Sequence, residues 1–153
     1  MSVKIIVDST CDFEPDERAA LGINMIPLTV QFGDEIFRDG IDITKEEFFR
    51  RLRASKELPH TSQINPATFL ETFEQLGADG SELLVMTISK NLSGTYQSAC
   101  VAAEQYGGKI RVVDSSLATT AFALMVKLAC RMRDRTDRWM RLPTTWKRSG
   151  NGW

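Results

Sequence analysis

The chain has 153 residues, 42% of them hydrophobic and 25% charged, with 19 Lys and Arg against 20 Asp and Glu. That length suits one domain with a real core and is short for two, and the composition is that of an ordinary globular protein. Three scattered cysteines and one histidine exclude a disulfide framework, a zinc site and most histidine-based acid–base designs.

Val3 to Val7 is a continuous apolar run ending in Asp8-Ser9, which predicts a strand buried on both faces. Pro15 suits the first turn of a helix, and Gly22 stands where that helix would close. Met25 to Leu28 predicts a second strand. Thr29 to Phe32 and Glu35 to Phe37 flank Gly33-Asp34, a hairpin signal. Thr44 with Glu47 reads as a capping box for a helix carrying Phe48, Phe49 and Leu52. Pro59 and Pro66 bracket a polar loop, and Asn65-Pro66 opens a helix with Phe69, Phe73 and Leu76 at helical spacing.

Leu83 to Ile88 repeats the buried-strand pattern. A helix follows from Ser93 with Tyr96, Ala99, Cys100, Ala103 and Tyr106 in period, and Ile110 to Val113 is a last strand ending in Asp114-Ser115-Ser116. Ala118 to Cys130 is apolar almost all round and expects cover on several sides. Strands alternating with helices predict an α/β domain with a mainly parallel sheet flanked by helices. No apolar run approaches the ~20 residues of a membrane span. With no signal-peptide pattern either, the expectation is a cytoplasmic protein without stable membrane insertion.

Charge divides the chain. Residues 1–130 hold 12 basic and 18 acidic side chains, a balance of −6, whereas 131–153 hold 7 and 2, a balance of +5, together with Trp139, Trp146 and Trp153. A domain over 1–130 and a basic, disordered or weakly helical tail over 131–153 are expected.

Open α/β sheets bind ligands beyond the carboxyl ends of their strands. Four polar clusters sit at or near such positions: Asp8-Ser9-Thr10, Thr61-Ser62-Gln63, Ser93-Gly94-Thr95 and Asp114-Ser115-Ser116. The third has the strongest physical case, since a helix N-terminus offers free N–H groups and a positive dipole end to an anion, and Gly94 permits close approach. Against it stands plain helix capping by Ser93. The Thr61 cluster reads equally as turn chemistry, and Asp8 and Asp114 as braces for loops. His60 reads as a surface residue. A triad of Ser93, His60 and an aspartate can be written, but nothing orients the histidine. The phenylalanines at 48, 49, 69 and 73 fit a core, and a lipid pocket would look similar.

Taken together, Asp8-Ser9 with Asp12, Pro27-Leu28, Thr61-Ser62-Gln63 followed by Pro66, the block SGTYQSA from Ser93 to Ala99, and Asp114-Ser115 resemble the DegV family in order and spacing. That resemblance runs through most of 1–130. It implies a domain that, with a second one, encloses a long-chain fatty acid. Thr61 and Ser93 would then donate to the carboxylate, with Ser62 and Gly94 lining the same spot. The carrier would do no chemistry and need no cofactor, presenting the acid to a fatty-acid kinase.

Members of the family are nearly twice this long, so the second domain is expected to be missing and residues after about 130 to reflect a frameshift or truncation. The alternative is a basic arm for nucleic acid or an anionic membrane, and a nucleic-acid partner is not expected. Burying a tail of about sixteen carbons is worth ~12 kcal/mol at ~0.8 kcal/mol per methylene, so losing half the wall costs ~6 kcal/mol. Weak binding by a monomer is expected, with a homodimer through exposed apolar surface as one remedy. The competing function is a small hydrolase or acyl or phosphoryl transferase using Ser93.

Overall fold

A computed structural model describes residues 2–135 of the chain. Four strands form the main sheet: β1 (Val3–Asp8), β2 (Ile23–Ile26), β6 (Glu82–Thr87) and β7 (Ile110–Asp114). They lie in the order β2-β1-β6-β7, every pair parallel. The expected α/β architecture is present.

Burial on both faces explains the unbroken apolar runs. Ile5, Val7, Leu84, Met86 and Val113 point to one side, into a core shared with Leu21 of α1 (Pro15–Leu21) and with Phe122, Val126, Ala129 and Cys130 of α5 (Thr119–Arg135). Ile6, Leu83, Val85 and Val112 point to the other, against Phe69 and Phe73 of α3 (Pro66–Gly77) and Ala99, Cys100 and Ala102 of α4 (Thr95–Gln105).

Local signals set most boundaries. Gly22 takes φ 57 and closes α1, and the Asn65 side chain accepts from Thr68 N at 2.8 Å to open α3. The second strand stops at Ile26, short of the expected Leu28, because Pro27 has no N–H to give the sheet. Thr44 accepts from Glu47 N at 3.2 Å to open α2 (Lys45–Ala54). The reciprocal arm of the box gives way to ion pairing: the Glu47 carboxylate takes Arg50 and Arg51 at 2.7 and 2.6 Å.

A second, antiparallel sheet has the order β4 (Glu35–Arg38), β3 (Thr29–Phe32), β5 (His60–Ser62). The hairpin of β3 and β4 falls where the sequence puts it. β5 does not: the expected loop between Pro59 and Pro66 contains a strand paired with β3.

Helix α5 differs at both its surface and its end. Leu124 and Leu128 remain 63% and 49% exposed, so one face is bare where cover on several sides was expected. The helix also runs past the boundary expected at 130. Met132 packs on the core, and the Arg133 guanidinium donates to Leu21 O and Gly22 O at 2.8 and 3.1 Å, tying the last turn to the end of α1. The remainder of the tail, from 136, lies outside the described residues. Among the described residues no helix is long and apolar enough to cross a membrane.

Candidate functional site

β1 connects outward to β2 and β6 outward to β7, so the strand order reverses between β1 and β6. Ligands of open sheets bind at that switch point. Its floor is closed by Asp8, 1% exposed, which accepts from Thr10 N and Thr10 Oγ1 at 3.0 and 2.5 Å and, across the gap, from Ile88 N at 2.6 Å. Ser9 Oγ accepts from Leu28 N at 3.1 Å. Asp114 accepts from Lys90 N and Ser116 N at 3.1 and 2.9 Å. Both aspartates brace loops.

Burial pushes the Asp8 carboxyl above its ordinary value of 3.8, against the lowering effect of its hydrogen bonds. A raised folded pKa means the folded state holds the proton more tightly, so this group's stabilisation is present at low pH. It is lost as pH rises above 3.8 and through the folded pKa. Asp8→Asn lacks that component, so the stability of the wild type relative to Asp8→Asn is expected to fall with rising pH in this window. Urea midpoints measured across it read the difference. The variant should also be less stable at all pH values by about 1–3 kcal/mol, because its amide nitrogen meets a backbone donor.

At the neighbouring helix end, α4 begins at Thr95 with Gly94 as cap residue, rather than at Ser93. Ser93 Oγ accepts from Thr95 N at 3.2 Å and lies 2.9 Å from the buried Thr95 Oγ1. Ser93 is thus not the cap residue; from one position outside the helix its hydroxyl takes the first N–H of α4 in a local turn. The space beside Gly94 is taken by the chain itself: a Cβ there would overlap the side-chain amide of Gln63.

Thr61 sits opposite Val30 in the antiparallel pair β3–β5, and Ser62 opposite Thr29. Alternation along a strand then turns Thr61 and Ser62 to opposite faces of the small sheet. Thr61 faces a cleft of about 820 Å³ whose apolar wall includes Phe13, Val30, Ile43, Phe48 and Phe49. Ser62, expected to line the same spot, is turned away by the pleat, and so is His60. The cleft's polar rim carries Asp12, Glu14, Asp39 and Glu46 with one cation, Lys45, which donates to Asp12 O and Glu14 Oε1 at 2.9 and 2.6 Å. That bridge joins α2 to the loop after β1.

The four phenylalanines divide between two environments. Phe69 and Phe73 are buried in the core, whereas Phe48 and Phe49 line the cleft. Two features escaped the sequence reading. The cleft under α2 draws on six separate stretches of chain. Gln63 Nε2 donates to Ser98 Oγ at 3.2 Å, linking β5 to α4. No group of acidic, Cys or His side chains suited to a metal occurs among the described residues.

Comparison with known proteins agrees with this architecture. The profile of the "uncharacterised protein, DegV family" matches residues 2–139. A DegV domain-containing protein of Deinococcus radiodurans is 38% identical over 86% of this chain and 47% of its own length. The structure described as fatty acid binding of a DegV family protein from Thermus thermophilus superposes with a TM-score of 0.80 at 34% identity, over 88% of this chain and 48% of that one. The fatty acid kinase (Fak) B3 protein of Streptococcus pneumoniae, loaded with linoleic acid, gives 0.77 at 26% identity, over 92% and 51%. This chain thus spans about half the length of the curated relatives it matches. The profile runs through every element from β1 to α5, and on that ground the chain belongs to the DegV family.

Proposed function

We propose that this chain binds a long-chain fatty acid as a carrier, with the carboxylate accepting from Thr61 and Ser93 and the acyl tail lying in the cleft beneath α2. The observation that carries the proposal is the cleft itself: about 820 Å³, with an apolar wall and Thr61 among its lining residues. Its size falls in the range of small-molecule pockets, ~300–1,000 Å³. The fatty-acid-bound Thermus relative and the linoleic-acid-loaded Streptococcus protein support the ligand class, and the latter's name supports a kinase as the partner that phosphorylates the bound acid.

The hydrolase reading finds no support in the geometry. His60, the one histidine, faces away from Thr61, and the Asp8 and Asp114 carboxylates are committed to backbone amides, so no base is supplied to Ser93.

Native mass spectrometry of the purified chain, with added palmitate, tests the carrier reading. A hydrogen bond to a charged group is worth ~1.5–3 kcal/mol, so Thr61→Ala and Ser93→Ala are each expected to weaken palmitate about ten- to a hundredfold. Palmitate methyl ester, which carries no charge, should be far less affected. An unchanged palmitate affinity in both variants removes the head-group assignment, and a wild type that takes up no acyl chain removes the carrier reading for this chain.

A further inference from the structure

We infer that Gln63 is a positioning residue, a strap that fixes Thr61 relative to Ser93 and so sets the spacing of the head-group site. This rests on the carrier reading for its functional consequence and on geometry for the strap itself. β5 is an edge strand: β3 holds one of its sides, and the other has no strand partner among the described residues. Two residues just beyond its carboxyl end tie the segment to α4 and its core. Ile64 is buried in the core shared with α4. Gln63 Nε2 donates to Ser98 Oγ at 3.2 Å, and Ser98 is itself 5% exposed and bonded through its backbone N to Gly94 O at 3.0 Å.

The fit is specific at Gly94. The Gln63 carboxamide lies where a Cβ of residue 94 would stand, so the strap passes over the helix end only because that residue has no side chain. Thr61 is two residues back along extended chain, about 7 Å at ~3.3 Å per residue. Ser93 is the immediate neighbour of Gly94. In this proposal the Gln63–Ser98 hydrogen bond and the contact at Gly94, made by a glutamine that is itself exposed, set the spacing of the two hydroxyls. A carboxylate bridging them needs that spacing held before it arrives, since ordering a loop on binding subtracts from affinity.

The test compares Gln63→Ala, Gly94→Ala and the double variant. In Gly94→Ala the new methyl expels the Gln63 amide, so both single variants lose the strap. In the double variant nothing is left to collide. Palmitate affinity is expected to fall about five- to tenfold in each single variant and no further in the double, which is the non-additivity of a shared contact. Palmitate methyl ester should bind all four proteins alike.

Hydrogen exchange supplies a ligand-free arm. The β5 amides should exchange faster in Gln63→Ala while β1 and β6 keep their protection. Palmitate affinity that rises in Gln63→Ala overturns the strap, because it makes the amide a plug over the helix end. Unchanged β5 exchange overturns it too, as does a double variant worse than both singles. If the wild type binds no palmitate, the carrier reading fails, while the exchange arm still decides whether Gln63 holds β5.

Discussion

Phe49→Glu is expected to weaken palmitate binding about a hundredfold while moving stability by no more than ~0.5 kcal/mol. Phe49 is 51% exposed on α2, a helix that buries none of its residues, so the fold loses little when the ring goes. Its ring meets Phe48 edge-on, with centroids 5.3 Å apart, and both line the cleft. A glutamate there keeps its hydration, and the water it holds keeps acyl methylenes off the wall. Losing cover on three or four methylenes at ~0.8 kcal/mol each removes ~3 kcal/mol, which is the hundredfold.

The rim adds to the effect. Asp12, Glu14, Asp39 and Glu46 already outnumber Lys45 around the opening, so a further negative charge also repels the carboxylate on its way in. Phe49→Leu keeps an apolar wall and should bind nearly as wild type. Palmitate titration beside thermal melting reads both halves. Full affinity in Phe49→Glu would place the tail elsewhere and end the case for this cleft.

The main sheet was legible because its physics is local. A strand buried on both faces must be apolar throughout, and Pro15, Gly22 and Asn65-Pro66 mark helix ends for reasons that need no tertiary contact. β5 was not legible. His60, Thr61 and Ser62 are all exposed and offer no apolar alternation, so the segment is a strand only because β3 presents a free edge to it. The end of α5 was missed for a related reason: Arg133 reads as solvated charge in sequence, yet its guanidinium is held by the carbonyls of a helix over a hundred residues earlier. The candidate site divides in the same way. Ser93 beside a helix N-terminus follows from spacing, whereas Thr61 as its partner came only from the resemblance to DegV proteins. In sequence Gly94 offers close approach to a ligand, and the structure fills that space with Gln63. Spacing along a chain cannot name the distant side chain that occupies a gap.

Phe73→Ala is expected to cost about 3–5 kcal/mol, the largest loss of stability among these variants. Phe73 is 0% exposed, between Phe69 at 5.7 Å and Tyr106 at 6.0 Å, in the core that joins α3 and α4 to the sheet. Removing the ring forfeits its transfer free energy and leaves a void that the backbone does not readily close. On one side β6 is fixed by its partners. On the other, α3 lies tight against Tyr106, whose ring occupies the space a Cβ on Gly77 would need. Against the ~5–15 kcal/mol that holds a typical domain folded, such a loss takes a third of the total or more. Urea denaturation should show a lower midpoint with an unchanged slope, and Phe73→Leu, which leaves a smaller void, should lose much less. A cost below about 1 kcal/mol for Phe73→Ala would mean the site collapses freely and is not close-packed core. In sequence Phe49 and Phe73 were indistinguishable, two rings on amphipathic helices that fit core or pocket alike. Binding that fails at one with stability intact, and stability that fails at the other, assigns the first to the acyl cleft and the second to the scaffold that holds β5 and the α4 N-terminus beside it.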